Sequence, residues 1–123
     1  MHLVAGITLA VIFALAHLVE KVHFPKPNTK GTIENSWVEH QLHTTANFSS
    51  SSTLTSFFTG GLNTQIEHHL FPNICSIHYK SIAPIVKQTA LEFNQPYIEY
   101  PSFCSALMSH IRFLKKMGRN KKG

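Results

Sequence analysis

The longest apolar run in the chain limits its fold more than any other feature. Residues 3–19 read LVAGITLAVIFALAHLV, with polar side chains only at Thr8 and His17. As a helix rising about 1.5 Å per residue, the run is roughly 25 Å long, a little short of the roughly 30 Å hydrocarbon core of a bilayer. It lacks the basic leader and small-residue cleavage site of a signal peptide. We predict a transmembrane helix over residues 1–20, clipped near its start, with a buried core helix as the alternative.

The charge of the chain agrees with a membrane protein and gives it an orientation. Apolar residues make up 43% of the sequence and charged residues only 14%, against about 25% charged residues in ordinary soluble domains. Lys21, Lys26 and Lys30 follow the apolar run, and short cytoplasmic flanks are enriched in such residues. We therefore predict an integral membrane protein in which residues 21–123 form one cytoplasmic unit.

The net charge of +5 is concentrated near the C-terminus, where six cations stand close together: Arg112, Lys115, Lys116, Arg119, Lys121 and Lys122. A basic tail of this kind either binds phosphate groups of nucleic acid or lipid, or is a solvated chain end. The interpretation adopted here is a solvated end, and no nucleic-acid partner is expected.

The remaining chain is predicted to be helical, so the fold class is all-α. Apolar periodicity and breaker residues predict helices over residues 33–48, 81–93 and 103–118. Pro84 is expected in the first turn of its helix, where proline is tolerated, and the last helix is expected to end at Gly118. Between the helices, SSSST at 49–53 is a polar break, GGLN at 60–63 a turn and PYIEYP at 96–101 a connector.

One further short helix is predicted over QIEHHL, residues 65–70. Thr64 followed three residues later by Glu67 is a capping-box pattern, and Pro72 disfavours helix in the residue before it. Gln65, His68 and His69 then share one face, because side chains at i, i+3 and i+4 stack on a helix. Imidazoles beside an amide oxygen form a metal site when further ligands approach, although histidines also occur as core or surface residues.

Three stretches resemble the front-end fatty acid desaturases, which are integral membrane enzymes. GGLNTQIEHHLFPNICSIHY, residues 60–79, is similar to their third histidine box and its surroundings, with the glutamine that replaces the first histidine of an H-x-x-H-H box. WVEHQLHTTANF, residues 37–48, resembles the segment upstream of that box. FALAHLVEKVHFP, residues 13–25, resembles the end of the last spanning helix.

The resemblance implies an all-α, membrane desaturase-like fold and a non-haem di-iron cofactor held by three histidine boxes. It implies O2-dependent removal of two hydrogens from a fatty-acyl chain, linked to CoA or to a lipid, with an electron donor such as cytochrome b5 or ferredoxin. Gln65, His68 and His69 match the third box. His17 matches a position that supplies an extra ligand, and His40 is a weaker candidate for that role. No catalytic residue apart from the metal ligands is implied.

The sequence departs from the family pattern because the other two boxes, H-x-x-x-H and H-x-x-H-H, do not occur in it. We therefore expect the chain to be the C-terminal part of a desaturase and to be inactive alone. Two alternatives stay open at this point. One is a related di-iron membrane hydroxylase, against which Gln65 argues, and the other is a non-catalytic, basic, membrane-anchored binding or structural protein.

Overall fold

The computed structural model describes residues 1–33 and 36–119, and helices dominate it. Within these ranges the α-helices are α1 His2–His17, α2 Trp37–Thr44, α3 Thr53–Thr59, α4 Gln65–Leu70, α5 Tyr79–Glu92 and α6 Phe103–Arg119. A 3-10 turn spans Ser76–His78, and two short strands are β1 Ala46–Phe48 and β2 Ile98–Tyr100. The predicted dominance of helix is confirmed. The predicted cations Lys121 and Lys122 lie outside the described residues.

The two strands correct the prediction, which placed 46–48 in a helix and 96–101 in a connector. β1 and β2 pair in parallel, with Asn47 opposite Glu99. Side chains alternate along a strand, so Ala46 and Phe48 enter one core cluster, while Asn47 turns toward α4. The extended chain is favoured here because it buries two apolar side chains and one hydrogen-bonding side chain at the same time.

Two apolar clusters hold the helices around this sheet. The larger joins the second half of α1 to both strands and α6, through buried side chains that include Leu15, Phe48 and Ala106. The smaller joins α2, α4 and α5 through Leu42, Ile66, Val86 and Ala90. Helix α4 carries the glutamine and histidine motif, and its Ile66 packs into the smaller cluster, which holds α4 against α2 and α5.

Helix α1 has 16 residues and ends at His17, slightly earlier than the predicted run. Its second half is packed, but its first half leaves Leu3 at 76%, Val4 at 69% and Ile7 at 56% exposure. Across residues 1–33 and 36–119, none of the helices has both the length and the apolar character needed to cross a membrane.

The ends of the other helices are set by nearby residues in the sequence. Helix α2 begins after Ser36, whose hydroxyl accepts from the Glu39 amide at 3.3 Å while the Glu39 carboxylate accepts from the Ser36 amide at 2.8 Å. Helix α5 begins at Tyr79, so Pro84 lies inside the helix and not in its first turn as predicted. It still buries one apolar face, including Ala83. Helix α6 continues through Gly118 to Arg119.

Candidate functional site

Helix α4 has the predicted bounds, Gln65–Leu70, but the predicted capping box is absent. The Thr64 hydroxyl donates to the carbonyl of Gly61 at 2.7 Å and makes no cap bond to the helix. Gly61 has φ +86°, and a Cβ there would lie 2.6 Å from the Cβ of Ser76. The tight turn before the box therefore requires glycine at this position.

Asn47 takes the place of the missing cap. Its Oδ1 accepts from the Ile66 amide at 2.9 Å, and its Nδ2 donates to the Glu67 carboxylate at 2.7 Å. The Tyr97 hydroxyl donates to the other Glu67 oxygen at 2.8 Å. Asn47 and Glu67 have no exposed surface, so these bonds tie the start of α4 to the centre of β1 in a region closed to water. Sequence reasoning missed Asn47 and Tyr97 and assigned Glu67 to a cap.

The environment of this network sets the protonation of its members. Burial raises the pKa of the Glu67 carboxyl, and the hydrogen bonds from Asn47 and Tyr97 act in the opposite direction. Burial, followed by the neighbouring Glu67, also raises the pKa of the Tyr97 hydroxyl. Tyr97 is therefore a hydrogen-bond donor throughout the physiological range of pH, as its contact with Glu67 requires.

On the opposite side of α4, the structure brings four of the predicted site residues together. The side-chain nitrogen Nε2 of Gln65 lies 3.3 Å from Nε2 of His69. The ring of His17 meets the ring of His69 edge to face at 5.2 Å between centroids, and the ring of His68 lies 5.9 Å from that of His69. Burial, followed by the charges of His17 and His68, lowers the pKa of His69, which favours the neutral imidazole that binds metal ions.

Hydrogen bonds orient two of these rings. Nδ1 of His17 lies 3.2 Å from the carbonyl oxygen of Thr44, and a carbonyl only accepts, so Nδ1 carries the hydrogen. Nδ1 of His68 lies 3.4 Å from the Tyr79 hydroxyl, which itself donates to the carbonyl of Phe71 at 3.3 Å. In both rings the lone pair is therefore left on Nε2, which is the arrangement that outer partners give to metal-binding histidines.

Four buried polar atoms in the described chain have no hydrogen-bond partner, namely Oε1 of Gln65, Nδ1 of His40 and the hydroxyl oxygens of Thr45 and Ser50. A buried polar atom without a partner costs about 1–3 kcal/mol, so each of these atoms calls for a partner such as water, an ion or a ligand. His40 lies on α2, which packs against α4. Within residues 1–33 and 36–119, no hydrogen bond or ring contact joins its side chain to the four residues that come together, Gln65, His68, His69 and His17.

The donor set suits iron only in part. Imidazole nitrogen and amide oxygen are suitable ligands for iron, and the unpaired oxygen of Gln65 points to a missing partner. However, no group of three or more His, Cys, Asp or Glu side chains in the described part of the chain is placed to hold a metal ion. The described residues therefore do not complete a metal site by themselves.

Comparison with known proteins gives consistent matches. The profile of the family described as fatty acid desaturase matches residues 1–101. The acyl-lipid (8-3)-desaturase of Physcomitrium patens is 47% identical over 95% of this chain and 24% of its own length. The sn-1 linoleoyl-lipid 6-desaturase of Synechocystis sp. is 42% identical over 96% of this chain and 33% of its own length. The acyl-lipid (8-3)-desaturase of Mortierella alpina is 38% identical over 94% of this chain and 26% of its own length.

The chain thus spans about a quarter to a third of the length of these curated relatives. No solved structure matches the chain significantly.

Proposed function

The chain belongs to the fatty acid desaturase family, and from this premise we propose that it forms the C-terminal part of an O2-dependent acyl-lipid desaturase. The relatives named as acyl-lipid desaturases confirm the resemblance to the front-end group. The observation that carries the proposal is that Gln65, His69 and His17 come together, with the side-chain nitrogen of Gln65 3.3 Å from Nε2 of His69 and its side-chain oxygen buried without a partner in the described chain.

Within this proposal, Gln65, His68, His69 and His17 hold iron. His17 and His68 offer Nε2, because their Nδ1 atoms are used by Thr44 and Tyr79. Gln65 offers the unpaired Oε1. His40 is the weaker candidate, supported by its buried and unpaired Nδ1.

The cofactor in this proposal is a non-haem di-iron pair, completed by histidine boxes that this sequence lacks. When bound, the iron pair supplies the O2-activating chemistry that removes two hydrogens from the acyl chain. The role of this chain is to hold the iron ligands in place and to orient them. Asn47 and Glu67 fix the start of α4, and the buried Ile66 excludes water beneath the box.

The proposed substrate is a fatty-acyl chain, and the relatives named as acyl-lipid desaturases favour a lipid-linked chain over a CoA thioester. The reaction converts a CH2–CH2 unit and O2 into a CH=CH unit and two waters, with two electrons and two protons supplied from outside. An electron donor such as cytochrome b5 or ferredoxin is therefore a required partner.

We place the first half of α1 in the membrane and residues 21–123 on its cytoplasmic side, because the second half of α1 packs into one core with both strands and α6. The exposed apolar side chains of α1 and the lysines after it support this placement. Of two topology reporters fused after Gly123, we expect activity from the one that works in the cytoplasm and none from the one that works on the far side of the membrane. Activity of a reporter that works only on the far side of the membrane would contradict the placement.

Co-expression tests the proposed activity. This chain and a separate polypeptide that carries the two missing boxes are expressed singly and together, and cellular fatty acids are measured by gas chromatography. A new unsaturated acid is expected only in the joint expression. A hydroxylated product would indicate the hydroxylase, and a new unsaturated acid from this chain alone would overturn the proposed division of the site.

A further inference from the structure

Helix α6 is tied to the point where the chain leaves α1. The Ser109 hydroxyl accepts from the Glu20 amide at 3.0 Å, and Nδ1 of His110 lies 2.6 Å from the carbonyl of Leu18. The Phe113 ring packs 6.0 Å from that of Phe24. If the first half of α1 enters a membrane as proposed above, these contacts hold the second half of α6 beside the end of α1, on the side of the molecule that faces the membrane surface.

The second half of α6 carries a basic stripe, defined by Arg112, Lys115, Lys116 and Arg119. The spacing of i, i+3, i+4 and i+7 places these four cations along one side of the helix. One carboxylate faces the stripe, since Glu20 lies 3.7 Å from the guanidinium of Arg112. Four cations against one carboxylate leave the stripe strongly positive, and all four residues are exposed.

Apolar side chains occupy the side of α6 that lies largely opposite the basic stripe. Ile111 is 37% exposed, Leu114 50% and Met117 53%, although the same helix buries Ala106 and Ser109 against the rest of the chain. A helix with exposed apolar residues on one side and a row of cations on the other is typical of segments that lie in the interface of a membrane. Nucleic acid would use the cations but would leave the apolar side chains in water.

We propose that residues 111–119 of α6 lie along an anionic lipid surface, with Leu114 and Met117 at the acyl boundary and the long side chains of the basic stripe reaching around the helix to the lipid phosphates. The inference rests on the proposed seating of α1 in the membrane. The cations and the apolar side chains both find partners there, and the Glu20 contact fixes the stripe close to the end of α1.

Vesicle flotation tests this surface. The purified chain is mixed with vesicles of phosphatidylcholine alone, or of phosphatidylcholine with phosphatidylglycerol, over a range of salt concentrations. The variant Lys115→Gln/Lys116→Gln is expected to lose about thirty-fold in affinity for the anionic vesicles, since each cation near an anionic surface contributes about 1 kcal/mol. High salt should reduce the same preference, and binding to neutral vesicles should not change.

Lys80→Gln/Lys87→Gln on α5 is the matched control, because it removes the same charge from another surface. The inference is overturned if the control loses as much affinity, or if the α6 variant binds anionic vesicles like the unmodified chain. Tighter binding to double-stranded DNA than to anionic vesicles would also overturn it. Failure to bind neutral vesicles would contradict the seating of α1 instead, which separates the two hypotheses.

Discussion

Desaturation by a complete enzyme that carries this segment is expected to be lost when His69 is replaced by alanine. The ring of His69 lies at the centre of the site, in contact with Gln65 and close to both His17 and His68. Loss of an outer partner of a metal ligand alone costs about 10- to 100-fold in metal affinity or activity. Loss of the ligand itself should therefore exceed about 100-fold.

His68→Ala should have the same effect, and Gln65→Ala should also be severe. His78→Ala is the control, because this exposed histidine follows the box but its side chain makes no hydrogen bond or ring contact with the box in the described part of the chain. The measurement is the amount of new unsaturated acid per unit of expressed enzyme. Activity in the His69→Ala variant equal to that of the His78→Ala control would contradict the assignment of ligands.

Asn47→Asp is expected to destabilise the fold strongly. Nδ2 of Asn47 lies 2.7 Å from the Glu67 carboxylate, so aspartate would place two carboxylates in contact where water is excluded. An uncompensated buried charge costs about 3–5 kcal/mol, which is a large part of a typical free energy of unfolding of about 5–15 kcal/mol. Urea unfolding of the chain in detergent, followed by circular dichroism, measures the loss.

The double variant Asn47→Asp/Glu67→Gln supplies a matched rescue. Aspartate at 47 still accepts from the Ile66 amide, and glutamine at 67 donates to it while accepting from the Tyr97 hydroxyl. Only the bond that Nδ2 of Asn47 donates to the Tyr97 oxygen at 2.8 Å is not rebuilt. The unfolding free energy should return to within about 1 kcal/mol of the original value. If the second substitution makes the protein less stable than Asn47→Asp alone, the network does not act as described.

The sequence predicted most of the helices because their signals are local. The bounds of α4 were predicted correctly from Pro72 after it and from a capping box that the structure does not contain, and the last helix follows from a periodicity that continues to its end. The strands could not be predicted in this way. Ala46 and Phe48 are extended because they fill a core formed by α1 and α6, and their parallel partner lies about fifty residues away in the chain.

The site shows the same division between local and distant information. The spacing of Gln65, His68 and His69 on one helix was readable from the motif, and the proximity of His17 to His69 supports the resemblance that suggested it. The role of Glu67 was not readable. A Thr64 and Glu67 pair has the pattern of a cap. The Glu67 carboxylate instead binds Asn47 and Tyr97, which are distant in the sequence, because in that position it is buried with its hydrogen bonds satisfied.

Iron bound per polypeptide tests the central claim most directly, because it reports on the ligands without requiring substrate or an electron donor. The complete desaturase is purified with this segment unchanged and with Gln65→Ala/His68→Ala/His69→Ala, and iron is measured by mass spectrometry alongside circular dichroism. We predict about two irons in the unchanged enzyme and a loss of most of this iron in the folded triple variant. Full iron content in a folded triple variant would contradict the account.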